Sequence, residues 1–246
     1  MKFLKWSAIV IGVILIALFI LVKVVSEDRP ESTPSKDADA MAESMLDALG
    51  KPAWDSLKLL KWTFRGTNHY VWDKQSNIAE ISWGENRVLM DLNTLKANAW
   101  TNGTTVADQQ LNELKDKAWA NWCNDSWWMF APFKAFDPGT TRSIVEDVKH
   151  GKYGLMVTYD SGGVTPGDSY LWHLDENYLP IGYKMWVSIL PVGGLYFTWE
   201  DWKAYEPGVM LASTRKGKIA TLDLENVATG STFRDLGLSE DPFRMK

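Results

Sequence analysis

Two parts of the chain offer a candidate catalytic nucleophile, but neither has the partner residues that catalysis requires. Asp160-Ser161-Gly162-Gly163 is similar to the nucleophile loop of trypsin-like proteases. A serine nucleophile also needs a histidine base and an orienting aspartate. His69 lies within a predicted strand, in a sequence unlike the histidine motif of those proteases, and the two glycines fit a hairpin turn better. Cys123, between Trp122 and Asn124, is interpreted as a small buried residue because a reactive thiol needs a base and a lowered pKa.

Metal and cofactor chemistry have no sequence signature here. The three histidines, His69, His150 and His173, fall on different predicted strands or turns, without the close His, Cys or carboxylate spacing of metal sites. No P-loop, dinucleotide fingerprint or G-x-S-x-G elbow is present. A single Cys excludes an internal disulfide and CxxC-type zinc or redox sites. The sequence therefore predicts a protein that is not an enzyme and needs no metal or cofactor.

Composition points to a globular protein that is unusually rich in tryptophan. The chain has 246 residues, 46% of them hydrophobic and 23% charged, which excludes intrinsic disorder for most of it. It contains 14 Trp, and such large rings indicate either an aromatic core or a ring-lined cavity. Residues 1–25 hold three Lys and no acid, so the remainder is more acidic than the overall net charge of −5. An acidic domain does not suit nucleic-acid binding.

The N-terminus reads as a membrane anchor followed by a linker. Residues 6–22 contain no charged side chain, and Lys2 and Lys5 precede them. If Lys23 snorkels, the span approaches the roughly 20 residues that cross a bilayer. We therefore expect a transmembrane anchor at 1–25, with the N-terminus cytoplasmic and the domain in the periplasm. Secretion after signal cleavage is the alternative. Residues 26–38, with two prolines and no large apolar residue, are predicted to be a flexible linker.

Residues 39–246 are predicted to form one α+β domain. A short helix at 40–49 opens it, and alternating apolar residues then indicate about ten antiparallel strands, beginning with one long strand over 60–72. A second helix is predicted after a cap at Thr105, with a break or bend at 124–126. So many antiparallel strands curl strongly. The expected architecture is a strongly curved sheet, a half-open barrel, covered by helices.

This order of elements resembles the bacterial periplasmic lipoprotein-carrier superfamily, the LolA/LolB-like fold. The resemblance is carried by the helix at 40–49, the strand KWTFRGTNHYVWD (61–73), the hairpin through 79–92 and the aromatic segment ending in PFKAFDPG (132–139). It covers most of residues 40–226. The resemblance implies a helical lid and the binding of acyl chains or lipid-modified partners without catalysis. The chain departs from that family in its apolar N-terminal segment and in having no cysteine near it to carry a lipid.

Aromatic side chains on the inner sheet face and in residues 119–136 are predicted to bind a ligand. The predicted ligand-binding residues are Trp62, Phe64, Tyr70, Trp72, Trp83, Trp127, Trp128, Phe130 and Phe133. The predicted function is membrane-tethered, non-catalytic binding of an acyl, lipid-like or lipoprotein ligand in an aromatic-lined cavity. The alternative is an envelope scaffold with a filled core that binds another envelope protein by strand addition at an open sheet edge.

Overall fold

The computed structural model describes residue 22 and residues 24–161, 166–218 and 220–243. Most of the anchor predicted for residues 1–25 lies outside the described residues. Across the described ranges, no helix is both long and apolar enough to cross a bilayer. The anchor therefore stays a prediction from the sequence.

The described chain has an α+β fold. Its helices are α1 (Lys36–Ala48), α2 (Lys51–Ser56) and α3 (Asp108–Phe130), and a 3₁₀ turn follows α3 at Ala131–Lys134. The strands are β1 (Leu59–Phe64), β2 (Asn68–Asp73), β3 (Ile78–Trp83), β4 (Asn86–Asp91), β5 (Ala97–Thr101), β6 (Thr104–Thr105), β7 (Thr140–Ile144), β8 (Tyr153–Tyr159), β9 (Ser169–Leu174), β10 (Pro180–Trp186), β11 (Leu195–Thr198), β12 (Lys203–Tyr205), β13 (Val209–Leu211), β14 (Thr214–Lys216) and β15 (Thr221–Gly230).

These strands form three antiparallel sheets rather than the single sheet expected. Sheet one has the order β14-β15-β1-β2-β3-β4-β5-β6, sheet two has the order β11-β10-β9-β8-β7, and β12 pairs with β13. Bridges from Phe197 to Gly217 and from Glu200 to Thr214 connect sheets one and two along one side. The fold class was predicted correctly, but the strand number and the single sheet were wrong, because short strands and turns cannot be separated by alternation alone.

The long strand predicted over residues 60–72 is a hairpin. Arg65 and Gly66 both have positive φ, 52° and 68°, and the Thr67 N–H donates to the Phe64 carbonyl at 3.2 Å. Trp62 pairs with Tyr70 across the hairpin, so even-numbered residues stand beside even-numbered residues. The residues of the predicted apolar face therefore lie on one side of the hairpin, since cross-strand partners point to the same side of a sheet.

Helix α1 begins earlier than the sequence predicted. Ser35 precedes it, and its Oγ accepts a hydrogen bond from the Ala38 N–H at 3.1 Å. A serine at this position satisfies one of the free N–H groups of the first turn. The helix packs against β7 and β8. Its buried residues, at helical spacing, are Ala38, Ala42, Met45 and Leu46.

The segment predicted as a flexible linker, residues 26–38, contacts sheet two along part of its length. Trp186 Nε1 donates to the Glu27 carbonyl at 2.8 Å. Arg29 Nη1 donates to Ser169 Oγ at 2.9 Å. The division into anchor, linker and domain stays a prediction, but these residues lie against the domain.

Helix α3 does not have the predicted limits. It begins after the expected cap at Thr105, with Ala107 as its capping residue, and it continues through residues 124–126 without a break. The carboxylate of Asp125 accepts hydrogen bonds from Tyr70 Oη at 2.5 Å and from Asn68 Nδ2 at 2.8 Å. Because partners on β2 satisfy this side chain, it does not compete with the helix backbone.

Candidate functional site

The rings predicted to line a cavity lie between the two large sheets, around α3. Trp127 and Trp128 are half-buried. The other predicted ligand-binding residues are buried: Trp62, Phe64, Tyr70, Trp72, Trp83, Phe130 and Phe133. The structure thus brings most of these rings together, and their assignment to a ligand stays a prediction.

On the side of sheet one, rings from α3 pack directly on rings from β1 and β2. We call Trp62, Tyr70, Trp72, Trp122 and Phe130 the sheet-one cluster. Trp62 stacks on Tyr70 at 4.6 Å between ring centroids, and Phe130 stacks on Trp72 at 5.2 Å. Trp122 meets the Trp72 ring edge-on at 5.5 Å. These distances lie within the 4.5–7 Å range of favourable aromatic pairs.

Two further predicted rings lie at the border of this cluster. Phe133, in the 3₁₀ turn, stacks on Trp54 of α2 at 4.3 Å. Trp83, at the end of β3, lies beneath the Lys117 ammonium, which is 5.3 Å from the ring centroid. Trp83 therefore contacts the more polar, N-terminal half of α3.

On the side of sheet two, Trp127 and Trp128 pack among a second set of rings. The sheet-two cluster consists of Trp127, Trp128, Tyr170, Trp172, Tyr183, Phe197 and Trp199. Trp127 lies 4.2 Å from Tyr170, and Trp128 lies 5.4 Å from Phe197. Trp128 also lies 6.5 Å from Phe64 of sheet one, so the sheet-two cluster contacts rings of both sheets.

The interior between the sheets is consequently filled by side chains of α3 where the sequence analysis placed a cavity. Two clefts of about 340 and 320 Å³ open on the described surface, and Phe64 is the one predicted ring that contributes to either. Neither of these two clefts is the aromatic-lined cavity that the sequence predicts.

The larger cleft is polar and lies where the β1–β2 turn meets the middle of α3. It is lined by Phe64, Arg65, Thr67, Asn68, Asn121, Asn124 and Asp125. Asp125 is 2% exposed, and a third hydrogen bond, from Asn124 Nδ2, reaches its Oδ1 at 2.7 Å. Burial and the Asp125 carboxylate raise the pKa of Tyr70, which keeps the phenol protonated as a donor. Two of these three hydrogen bonds, those from Tyr70 and Asn68, hold α3 on β2.

Arg215, on β14, is fully buried beside the sheet-two cluster. Its guanidinium carbon lies 3.3 Å from the centroid of the Trp199 ring. Its Nη2 donates to the Trp128 carbonyl at 2.8 Å and to the Ala212 carbonyl at 3.3 Å, and its Nη1 donates to the Thr214 carbonyl at 3.1 Å. Burial lowers the pKa of Arg215 to about 9, because the charged form loses its hydration.

Three buried polar atoms around Arg215 have no hydrogen-bond partner in the described structure. They are Nε of Arg215, the hydroxyl of Tyr183 and Nε1 of Trp199. The Tyr183 and Trp199 rings lie 5.5 Å apart. Burial raises the pKa of Tyr183 well above its ordinary value, and the Arg215 charge opposes that rise. We call Arg215, Tyr183 and Trp199 the donor group, because each presents an unused N–H or O–H.

The residues considered for catalysis each have their own surroundings in the structure. His69 is exposed and its ring lies 3.0 Å from Thr63 Oγ1, whereas His173 is buried, with 1% of its surface exposed. Burial raises the pKa of the Cys123 thiol to about 11, which disfavours the nucleophilic thiolate. Gly162 and Gly163 lie outside the described residues. No cluster of three or more metal-ligating side chains occurs in the described part of the chain.

Sequence reasoning did not single out Arg215 or Asp125. The sequence Arg215-Lys216-Gly217 predicts a turn, and residues 124–126 predict a break or bend in the helix. Both interpretations used local residue preferences, whereas burial of these charges depends on rings and amides distant in sequence. A lone Arg between Thr214 and Lys216 carries no local signal of burial.

Comparison with known proteins places the chain in no family. It matches no family model and no curated protein. A solved DUF1329 family protein from Desulfovibrio piger is 9% identical, with a TM-score of 0.45, and the match covers 86% of this chain and 97% of that one. A Vibrio parahaemolyticus domain, named provisionally for outer membrane lipoprotein sorting, is 9% identical, with a TM-score of 0.38, covering 81% of this chain and 97% of that one. At this similarity neither carries an argument about function.

Proposed function

We propose that this chain is a non-catalytic binding protein that takes a hydrophobic, acyl-like ligand between its two sheets. The observation that carries the proposal is that one helical segment fills a space whose other walls are rings of both sheets. In this proposal, the C-terminal half of α3 moves aside and an acyl chain takes its place. Residues 1–25 would hold the domain at the membrane on its extracytoplasmic side.

The energies involved permit such an exchange. Burial of about fifteen methylenes yields about 12 kcal/mol, at about 0.8 kcal/mol each. Withdrawing the four large rings of this segment, Trp122, Trp127, Trp128 and Phe130, costs about 6–12 kcal/mol, at about 1.5–3 kcal/mol each. Because the two quantities are similar, binding would be reversible, as transfer of a ligand requires.

Unsatisfied polar atoms in the interior also support the proposal. The N–H group of Trp62 adds to those of the donor group as a buried atom without a hydrogen-bond partner in the described structure. Each such atom costs about 1–3 kcal/mol relative to a satisfied one. A closed state with these costs is easier to open than a fully satisfied core.

The second candidate function is the envelope scaffold, which the filled interior favours. Its expected mode, strand addition, has little room in the described sheets. The β6 edge of sheet one is two residues long, and at the β7 edge of sheet two Ser143 already forms a bridge with Pro34. Short or covered edges resist the addition of another strand.

Quenching of tryptophan fluorescence by a dibrominated stearic acid tests the first proposal. The full chain would be held in amphipol, so that no free detergent competes, and would carry Trp6→Phe, so that acid dissolved around the N-terminal segment is not detected. We expect saturable quenching at tens of micromolar acid or above, because a net gain of at most about 6 kcal/mol corresponds to a Kd of about 40 μM. Trp128→Phe should lower the quenched fraction, whereas Trp202→Phe should not, because Trp202 lies outside both clusters and donates to the Pro180 carbonyl. Absence of saturable quenching in a folded chain would refute the proposal and leave the scaffold.

A further inference from the structure

Among the described residues, Arg215 has no acidic partner, although a buried arginine normally has one. It is fully buried, and its three hydrogen bonds all go to backbone carbonyls. Within the described residues, each ion pair is formed by other cations. Asp168, a buried carboxylate near the sheet-two cluster, instead accepts the Ser188 N–H at 2.8 Å. An uncompensated buried charge costs several kcal/mol, so a residue used only for packing would be better replaced by an apolar one.

The unused atoms near this charge are all donors. Nε of Arg215, the Tyr183 hydroxyl and Nε1 of Trp199 are each buried without a partner. A tryptophan N–H and an arginine N–H can only donate, so the missing partner must be a hydrogen-bond acceptor. A neutral acceptor such as water would satisfy the N–H groups but would leave the positive charge uncompensated. An anionic oxygen would do both.

Apolar rings surround the donor group on the side of α3. Trp128 is half-buried, its carbonyl accepts from Arg215, and its ring packs 6.0 Å from Tyr183 and 5.4 Å from Phe197. A molecule that reached Arg215 from the side of Trp128 would place its charged end at the donor group and its apolar part among these rings. The chemistry of such a molecule is that of an amphiphile with an acidic head.

We propose that Arg215, Tyr183 and Trp199 form a recognition site for the anionic head group of an acyl amphiphile, a carboxylate or a phosphate. This inference rests on the proposed function and adds the head-group class to it. The acidic head accepts from the donor group and compensates the arginine charge, while the acyl chain occupies the space that α3 vacates.

Equilibrium dialysis of four radiolabelled ligands with twelve-carbon chains tests the site: lauric acid, dodecyl phosphate, dodecanol and dodecyltrimethylammonium. The full chain in amphipol is compared with amphipol alone. We expect at least one of the acidic ligands to bind about tenfold or more tighter than dodecanol, as charge-assisted hydrogen bonds imply, and the cationic ligand to bind most weakly. The acid that binds more tightly identifies the head group as carboxylate or phosphate.

Three variants locate the preference. Arg215→Met should bring the acids and the alcohol within about threefold of one another, and Arg215→Lys should keep part of the preference. Arg87→Met is the matched control, because that guanidinium also stacks on a tryptophan, Trp100 at 4.4 Å, but has the Glu80 carboxylate as its partner. If Arg215→Met does not fold, Tyr183→Phe serves instead, and it should weaken the acids without affecting the alcohol.

The outcomes separate this inference from the function on which it rests. Equal, saturable binding of all four ligands would overturn the anionic site and leave the hydrophobic binding function standing. Retention of the acid preference in folded Arg215→Met would overturn the assignment to Arg215. No saturable binding of any ligand would refute both.

Discussion

The buried imidazole of His173 should make the stability of the domain depend on mildly acidic pH. Its Nδ1 lies 2.9 Å from the His150 carbonyl, to which it donates, and its Nε2 is buried without a partner in the described structure. The pKa of His173 is lowered from 6.5 to about 4, first because burial disfavours the charged ring and then because the His150 and Lys184 charges oppose it. The folded state therefore resists protonation that the unfolded chain accepts.

The direction and size of the effect follow from this difference. Between about pH 6.5 and 4 the unfolded chain binds a proton at this position and the folded chain does not, so stability falls as the pH falls. The contribution is complete above about pH 6.5 and is lost as the pH approaches 4. At about 1.4 kcal/mol per pKa unit, the loss between about pH 7 and pH 4.5 is about 2 kcal/mol.

Guanidinium unfolding of the full chain at these two pH values measures the loss. His173→Asn removes the titrating ring but keeps an amide that can donate to the His150 carbonyl. We expect the wild type to lose about 2 kcal/mol more than this variant over the interval. His69→Asn is the control, because it removes a histidine whose ring is exposed. Equal losses in the wild type and His173→Asn would refute the reasoning.

Two further predictions concern the packing of α3. Phe130→Ala removes a ring that lies 5.2 Å from Trp72 and 5.1 Å from Trp54. It should lower the free energy of unfolding by about 3–5 kcal/mol. A loss below about 1 kcal/mol would contradict the prediction and show that this end of the helix is loosely packed. Asp125→Asn leaves Tyr70 and Asn68 with one weaker, neutral acceptor and should cost about 2 kcal/mol, measured by the same unfolding assay. An unchanged unfolding midpoint in Asp125→Asn would contradict the role given to that carboxylate.

Patterns of period two in the sequence were reliable because they report a local property of the strand. The even-numbered rings of residues 60–72 were placed on one face, and Trp62, Phe64, Tyr70 and Trp72 are all buried. The turn at Arg65-Gly66 was missed, since an arginine with positive φ has no sequence signature. The buried face was still predicted correctly, because the hairpin pairs even-numbered residues with one another.

The sequence by itself determined which residues are apolar, which face of each strand they occupy and that α+β elements position them. Tertiary structure alone decided that α3 fills the interior, that the helix runs through Asp125, and that Arg215 is buried with no acidic partner among the described residues. The physical reason is the separation along the chain over which each interaction acts. Alternation and capping act between neighbours in the chain, whereas the partners of Asp125 and Arg215 lie on elements about 55 and 87 residues away, and only folding brings them within hydrogen-bond distance.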